Sequence, residues 1–266
     1  MGILLKNVTF LNNCINYRYR NSKKMADCNE MENITALILS GGLGTRLRPV
    51  LSDKPKVMAS VNDKFFLSYI FQQLINANIH HVVLCVGYLS EQIELIYKNK
   101  YKQLKISYSK ESHPLGTGGA LFNALPLINS KLVLVMNGDS YCNVNIKDYY
   151  LWHILKKASA SIVLTQLKET RRYGQIVLNQ EESIEEFNEK SHLKMRSDFI
   201  NAGIYLFSLD MIKNISYKLP CSLEYDIFPK LIGNRFYGYQ TQDAFIDIGT
   251  PESYAQANKF FQEIRK

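Results

Sequence analysis

An apolar strand, Ala36 to Leu39, runs without a break into Ser40-Gly41-Gly42-Leu43-Gly44-Thr45-Arg46-Leu47-Arg48-Pro49, and Pro55-Lys56 follows shortly after. This arrangement favours a fold that sets the end of a strand against an anion. Glycines let backbone N–H groups approach an anion with no Cβ in the way, and a run of such groups forms a concavity that binds phosphate. Arg46 and Lys56 add formal positive charge that the backbone alone does not supply. The guest that suits this loop is a polyphosphate.

Spacing excludes two common phosphate loops. A P-loop needs Gly, four residues, then Gly-Lys-Ser/Thr, and the chain contains no such run. The dinucleotide fingerprint needs a third glycine three residues after the second, where Leu47 stands. It also needs an acidic residue at the end of the second strand. The run His81–Val86 ends instead in Gly87-Tyr88.

The 266 residues suffice for one large α/β domain. The most continuous apolar runs, Val82–Val86 and Leu132–Met136, fall far short of a bilayer span, so no membrane partner is expected. Five cysteines without paired metal spacing, and five histidines without a helical pair, offer nothing to a zinc site. Free thiols and a cytoplasmic location are the expectation. The net charge of +8 is dispersed, and the first 30 residues hold +3 of it. Such a distribution argues against nucleic acid and fits the steering of anionic small substrates. Residues 1–30 are Asn-rich, with no apolar core long enough for a signal peptide. They are expected to be a poorly ordered extension to a single domain over 31–266, and a homo-oligomer is left open.

From residue 34 apolar runs alternate with amphipathic segments, the pattern of an α/β sheet. Strands are expected at Thr35–Leu39, His81–Val86, Lys105–Ser109 and Leu132–Met136. Helices are expected at Phe66–Ala77, where Leu67, Ile70, Phe71 and Leu74 share one face, and at Ser90–Lys98 with Ser90 as its cap. Ser161–Gln166, Gly174–Leu178, Ser183–Phe187 and Phe199–Phe207 read as further strands, and Pro251–Ile264 as a last helix opened by proline. The fold class is therefore α/β, a Rossmann-like mixed, mostly parallel sheet flanked by helices.

Asp139, in Asn137-Gly138-Asp139, follows a buried strand directly, and Asp247 stands at another strand end before a helix. Ligands of open α/β sheets bind at such ends, although either aspartate alone reads more often as a turn or cap residue. Together with the phosphate loop they look like a Mg²⁺ pair, since Mg²⁺ takes few protein carboxylates and completes its shell with phosphate oxygens and water.

The loop string with Thr45-Arg46-Leu47 and Pro55-Lys56 resembles the signature of the sugar-1-phosphate nucleotidyltransferases. The resemblance runs over residues 34–258, with several motifs in the expected order. It implies a GT-A-like nucleotidyltransferase fold, here with no hexapeptide repeat that would form a C-terminal β-helix. It also implies transfer of a nucleotidyl group from a nucleoside triphosphate to a sugar 1-phosphate. On that resemblance Gly41, Gly42, Gly44 and Thr45 cradle phosphate, Arg46 and Lys56 hold the departing pyrophosphate, and Asp139 and Asp247 hold Mg²⁺. Glu111-Ser112-His113-Pro114-Leu115-Gly116-Thr117-Gly118-Gly119 is similar to the family's base-recognition loop, with Glu111, Leu115, Gly116, Thr117 and Gly118 as its binding residues. Lys190 matches the lysine that binds the sugar phosphate and Glu189 the glutamate that binds sugar hydroxyls. Gly174, Asn201 and Gly203 match the lining of the sugar pocket. Leu115–Gly119, Ile200–Gly203 and Phe245–Gly249 look most like the heptose 1-phosphate guanylyltransferases, which make GDP-heptose for surface polysaccharides and take GTP. Mannose-1-phosphate guanylyltransferases and glucose-1-phosphate thymidylyltransferases compete.

One position departs from the pattern. The family usually has Pro-Lys-Pro, and Val57 stands in place of the second proline, which removes a φ constraint but leaves the lysine. A regulatory subunit that binds a nucleotide sugar without catalysis is the reading from another class. Such a chain is expected to lose a metal carboxylate or the loop arginine, whereas Arg46, Lys56, Asp139, Asp247 and Lys190 are all present.

Overall fold

The structure is a computed structural model that describes residues 31–42, 44–47, 49–167, 174–188 and 199–264. The extension 1–30 and the Glu189-Lys190 pair lie outside the described residues. β1 (Thr35–Leu39) leads through the glycine loop to a hairpin of β2 (Ser60–Val61) and β3 (Lys64–Phe65), then α1 (Phe66–Asn76). β4 (His81–Val86), α2 (Ser90–Tyr97), β5 (Lys100–Tyr101), β6 (Leu104–Lys110) and α3 (Gly116–Ala124) follow. β7 (Leu132–Asn137) turns sharply into β8 (Ser140–Cys142) and α4 (Ile146–Leu155). The second half supplies β9 (Ala160–Gln166), β10 (Gln175–Leu178), β11 (Ile184–Asn188), β12 (Phe199–Ser208), α5 (Leu209–Lys213) and α6 (Phe228–Leu231). β13 (Phe236–Thr241), β14 (Phe245–Asp247) and α7 (Pro251–Glu263) end the chain.

β1 is central, parallel to β4 on one side and to β7 on the other, with Ala36 opposite both Val82 and Leu134. β6 continues the parallel set beyond β4. Past β7 the direction reverses. β12 runs antiparallel to both β7 and β9, β13 lies parallel to β9, and β10 joins β12 to β11. The sheet is thus the mixed, helix-flanked one expected, with its parallel strands at the centre.

The parallel strands are apolar on both faces, and their alternation divides the core in two. Ala36, Ile38, Val82, Leu84 and Leu134 join α1, α2, α4 and α7 on one face. Leu37, Val83, Cys85, Val133 and Val135 join α3, α5 and α6 on the other. Each large side chain buried this way contributes about 1.5–3 kcal/mol.

Two details differ from expectation. Ser90 is the first residue of α2 and makes no capping bond. The N-cap is Leu89, in the left-handed region at φ 57°, so the chain turns into this helix through backbone shape rather than a side-chain cap. α4 carries apolar residues on all sides and shows no clean helical period, so periodicity does not single it out. Cys85, Cys142 and Cys221 are buried free thiols. Among the described residues no helix is long and apolar enough to cross a membrane.

Candidate active site

The carboxyl ends of β1 and β7 open onto one cleft of about 450 Å³. The Ser40 N–H and hydroxyl both donate to the Cys85 carbonyl, at 2.9 and 2.7 Å, which pins the start of the glycine loop to β4. Gly138 N–H donates to the Leu39 carbonyl at 2.9 Å, tying the end of β7 to the end of β1. Leu47 is buried beneath the loop, and its N–H bonds back to the Gly44 carbonyl at 2.9 Å. The loop therefore folds over an apolar anchor at the position a dinucleotide loop gives to glycine. Gly41, Gly42 and Arg46 line the cleft. Gly44 lies over the Lys56 stem, and Thr45 is exposed on the outer turn; neither lines it.

Lys56 begins a short 3₁₀ turn, Lys56–Met58. Met58 N–H donates to the Pro55 carbonyl at 2.8 Å and Ala59 N–H to that of Lys56 at 3.0 Å. Val57 is buried against Gly138, so hydrogen bonds and packing hold the turn where a second proline is missing. From it Lys56 Nζ reaches Asp139 Oδ2 at 2.8 Å.

The two aspartates meet through a small ladder. β14 pairs with β8 so that Asp247 stands opposite Ser140, and Ile248 N–H donates to the Asp139 carbonyl at 2.8 Å. Asp247 Oδ1 accepts from the Gly249 N–H at 2.8 Å and from the Ser253 hydroxyl at 3.3 Å. Ser253 is also half of the capping box that Thr250 forms at the start of α7, with Pro251 in its first turn. One helix start thereby orients the carboxylate. Arg46 extends toward the same point, with Nη2 3.8 Å from the position a Cβ on Gly249 would take.

Among the described lining residues, the carboxylates Glu111, Asp139, Glu224 and Asp247 outnumber the cations Arg46 and Lys56. Beside these carboxylates a divalent cation would offset the repulsion of a polyphosphate. Two hard oxygen donors on adjacent strand ends, with space for phosphate and water, suit Mg²⁺. No group of three or more His, Cys, Asp or Glu side chains able to hold a metal occurs among the described residues. The substrate would complete the shell. The donor set fits the ion.

The loop after β6 crosses the glycine loop. A Cβ on Gly41 would lie 3.3 Å from Glu111 Oε1, and Glu111 Oε2 accepts from the Leu115 N–H at 3.3 Å. Burial raises the Glu111 carboxyl above its ordinary range, against the lowering effects of that N–H and of His113. Glu111, Gly116 and Thr117 line the cleft; Leu115 and Gly118 do not. Leu115 is buried behind the loop. The N–H groups of Gly118 and Gly119 are engaged by the Cys221 carbonyl at 3.0 and 3.1 Å, and Cys221 N–H returns to the Leu115 carbonyl at 2.9 Å. Gly116, at φ +79°, allows this clasp, because a Cβ there would lie 2.3 Å from the Cys221 oxygen.

The sequence reading missed the clasp and what it carries. The π-helical turn Leu223–Ile227 brings Glu224 and Tyr225 to the cleft. Thr117 Oγ1 donates to Glu224 Oε2 at 2.8 Å while accepting from Leu223 N–H at 2.8 Å. Pro220-Cys221-Ser222 is far in sequence from the loop it grips, and no local motif marks it.

On the far side Gly174 and Asn201 line the cleft, joined by a bond from Asn201 N–H to the Gly174 carbonyl at 3.1 Å. Gly203 lies behind them. Its φ is +75° and a Cβ would fall 2.6 Å from Ser140 Oγ, so it shapes the bulge of β12 without reaching the cleft. Glu189 and Lys190 lie outside the described residues.

A family model described as "Nucleotidyl transferase" matches residues 35–264. The D-glycero-alpha-D-manno-heptose 1-phosphate guanylyltransferase of Aneurinibacillus thermoaerophilus is 38% identical over 228 residues, which are 85% of this chain and 98% of that protein. The protein of the same name from Campylobacter jejuni subsp. jejuni serotype O:2 is 35% identical over 219 residues, 82% of this chain and 96% of its own. The crystal structure of HddC from Yersinia pseudotuberculosis superposes with a TM-score of 0.74 at 32% identity, covering 85% of this chain and 99% of HddC. A second structure of HddC is described as complexed with GMP-PN and gives 0.73 at 31%.

Proposed function

Because the chain belongs to the nucleotidyl transferase family, we propose that it transfers a guanylyl group from GTP to a heptose 1-phosphate, D-glycero-α-D-manno-heptose 1-phosphate, to form GDP-heptose for surface polysaccharide. The observation that carries this reading is the meeting of Asp139 and Asp247, through the β8–β14 ladder, at a cleft that also holds Gly41, Gly42, Arg46 and Lys56. The relatives named above, matched over nearly their full length, support the choice of base and sugar.

A phosphate oxygen of the sugar 1-phosphate attacks the α-phosphorus of GTP. The bond from that phosphorus to the α,β-bridging oxygen breaks, and its electron pair leaves on pyrophosphate. A phosphate monoester has a second pKa of about 6 and is largely dianionic at neutral pH, so no side chain need remove a proton. The obstacle is charge, and positioning and neutralisation supply the catalysis. Arg46 and Lys56 hold the β- and γ-phosphates and accept the charge that gathers there. Asp139 and Asp247 would hold Mg²⁺, which would supply neutralisation and orientation of phosphate oxygens. Lys56 Nζ, 2.8 Å from Asp139 Oδ2, sets that cation beside the carboxylate at the phosphate end of the cleft. Glu111 accepts from the N1–H and N2 amino group of guanine, an edge that adenine does not present. Lys190 binds the sugar phosphate and Glu189 the sugar hydroxyls, beside Gly174 and Asn201.

The test is a pyrophosphate-release screen that crosses GTP, ATP, CTP, UTP and dTTP with heptose, mannose and glucose 1-phosphates. GTP with the heptose substrate should give the highest rate. Silence with every pair, or triphosphate hydrolysis that ignores the sugar, would overturn the reading.

A further inference from the structure

Two aromatic side chains are found among the described residues that line the cleft, and they stand at different ends of it. Phe245 is on β14 opposite Cys142, close to Asp247 on the metal side. Tyr225 is on the π-helical turn that the base-loop residue Thr117 grips through Leu223 and Glu224. Leu223 and Ile227 are buried, which anchors the turn from below, while Tyr225 is 62% exposed. Its backbone N–H bonds to Ser222 Oγ at 3.2 Å, and its ring stacks on no aromatic neighbour among the described residues. Turns of this π type interrupt regular helix and recur at functional sites.

A planar base held along its edge by Glu111 and the backbone of Gly116 and Thr117 still has two faces to cover. Those glycine and threonine positions offer no broad apolar surface, and Tyr225 stands beside them with a ring that has one. We propose that Tyr225 stacks on the base of the incoming triphosphate as a positioning residue that adds affinity for any base, leaving the choice among bases to Glu111. The inference rests on the nucleotidyl-transfer reading above. The division of labour follows from the forces involved: every base has a π-face, so stacking is tolerant of identity, whereas hydrogen bonds to an edge are not.

The experiment measures binding of GTP, ATP and ribose 5-triphosphate, which lacks a base, to the full chain and its Tyr225→Ala and Tyr225→Phe variants, together with KM and kcat. Tyr225→Ala should weaken GTP and ATP by the same factor, about tenfold or more. Ribose 5-triphosphate should bind all three proteins alike, Tyr225→Phe should restore GTP affinity, and the loss should lie in the KM for the triphosphate rather than in kcat. An unchanged GTP affinity in Tyr225→Ala overturns the stacking role. So does an equal loss with ribose 5-triphosphate, or an effect confined to the sugar 1-phosphate. Wild-type protein that binds no triphosphate overturns the reading of the reaction and this inference with it, whereas wild-type binding with an indifferent Tyr225→Ala overturns this inference alone.

Discussion

The two walls of the cleft are built differently. The glycine-loop wall stands on the parallel strands of the sheet, and short contiguous strings carry its groups: Ser40–Arg46 after β1, Glu111–Thr117 after β6, and Asn137–Asp139 at the end of β7. The facing wall is assembled from single residues on antiparallel strands and a π-helical turn, namely Gly174, Asn201, Glu224 and Tyr225. Parallel strands all deliver their carboxyl ends to one edge, so neighbouring strand ends become neighbouring site residues. Antiparallel strands alternate their ends, and that wall depends on a bulge at Gly203, while the clasp at Cys221 ties its π-helical turn to the loop after β6 in the first wall. On the proposed reading, the phosphate chemistry falls to the first wall, and recognition of the substrates is divided between the two.

Arg46→Ala strikes the first wall hardest and should lower turnover by about 10²–10³, because it removes a preorganised cation where charge develops. A steady-state assay at saturating substrates checks it, and a variant as fast as wild type would take the loop out of the chemistry.

Acid should lower stability through a buried group that lies under the second wall. Beneath β9 and β12, Leu206 N–H donates to the Tyr149 hydroxyl at 3.1 Å, and Ser161 Oγ lies 2.7 Å from both that hydroxyl and His153 Nδ1. Tyr149 donating to Ser161, and Ser161 to His153, pairs these hydroxyls with Nδ1 and leaves the imidazole proton on the buried Nε2, which has no partner among the described residues. His153 is fully buried, and burial pushes its imidazole down to about 4. Between that value and the ordinary 6.5 the unfolded chain binds a proton that the folded chain does not. Stability present above about pH 6.5 is therefore lost as pH falls toward 4, by roughly 3 kcal/mol. Urea unfolding across that range should show the slope, and His153→Gln should flatten it.

A smaller pair of changes separates the walls. Gly116→Ala places a Cβ against the Cys221 carbonyl at a positive φ and should raise the KM for the triphosphate about tenfold, with little effect on the sugar. Gly203→Ala crowds Ser140 and Asn137 behind the other wall and should raise the KM for the sugar 1-phosphate by a similar factor. Identical profiles for the two variants would mean that the walls do not act separately.

This difference in construction also accounts for what the sequence reveals. β4 and α1 can be read almost to the residue because strand alternation and helical period are local properties, and the sequence likewise marks that Arg46 and Asp139 stand just past the ends of β1 and β7 and that Asp247 ends β14. The clasp of Cys221 on Gly118 and Gly119, and the carboxylate of Glu224 on Thr117, arise only when distant segments meet. The start of α2 depends on a left-handed Leu89 that no propensity rule favours. Leu115, Gly118 and Gly203 belong to site motifs, yet they support the walls from behind because their burial or backbone shape leaves no surface toward the cleft.

The central claim is that Asp139 and Asp247 hold one ion together at the glycine cradle. The most direct test counts Mn²⁺ bound to protein carrying a non-hydrolysable GTP analogue, for wild type, Asp139→Ala, Asp247→Ala and the double variant. The account requires one tight Mn²⁺ per wild-type chain and a double variant no weaker than either single one, since two ligands of one site fail together. Independent, additive losses in the two variants, or wild-type affinity in either, would contradict it.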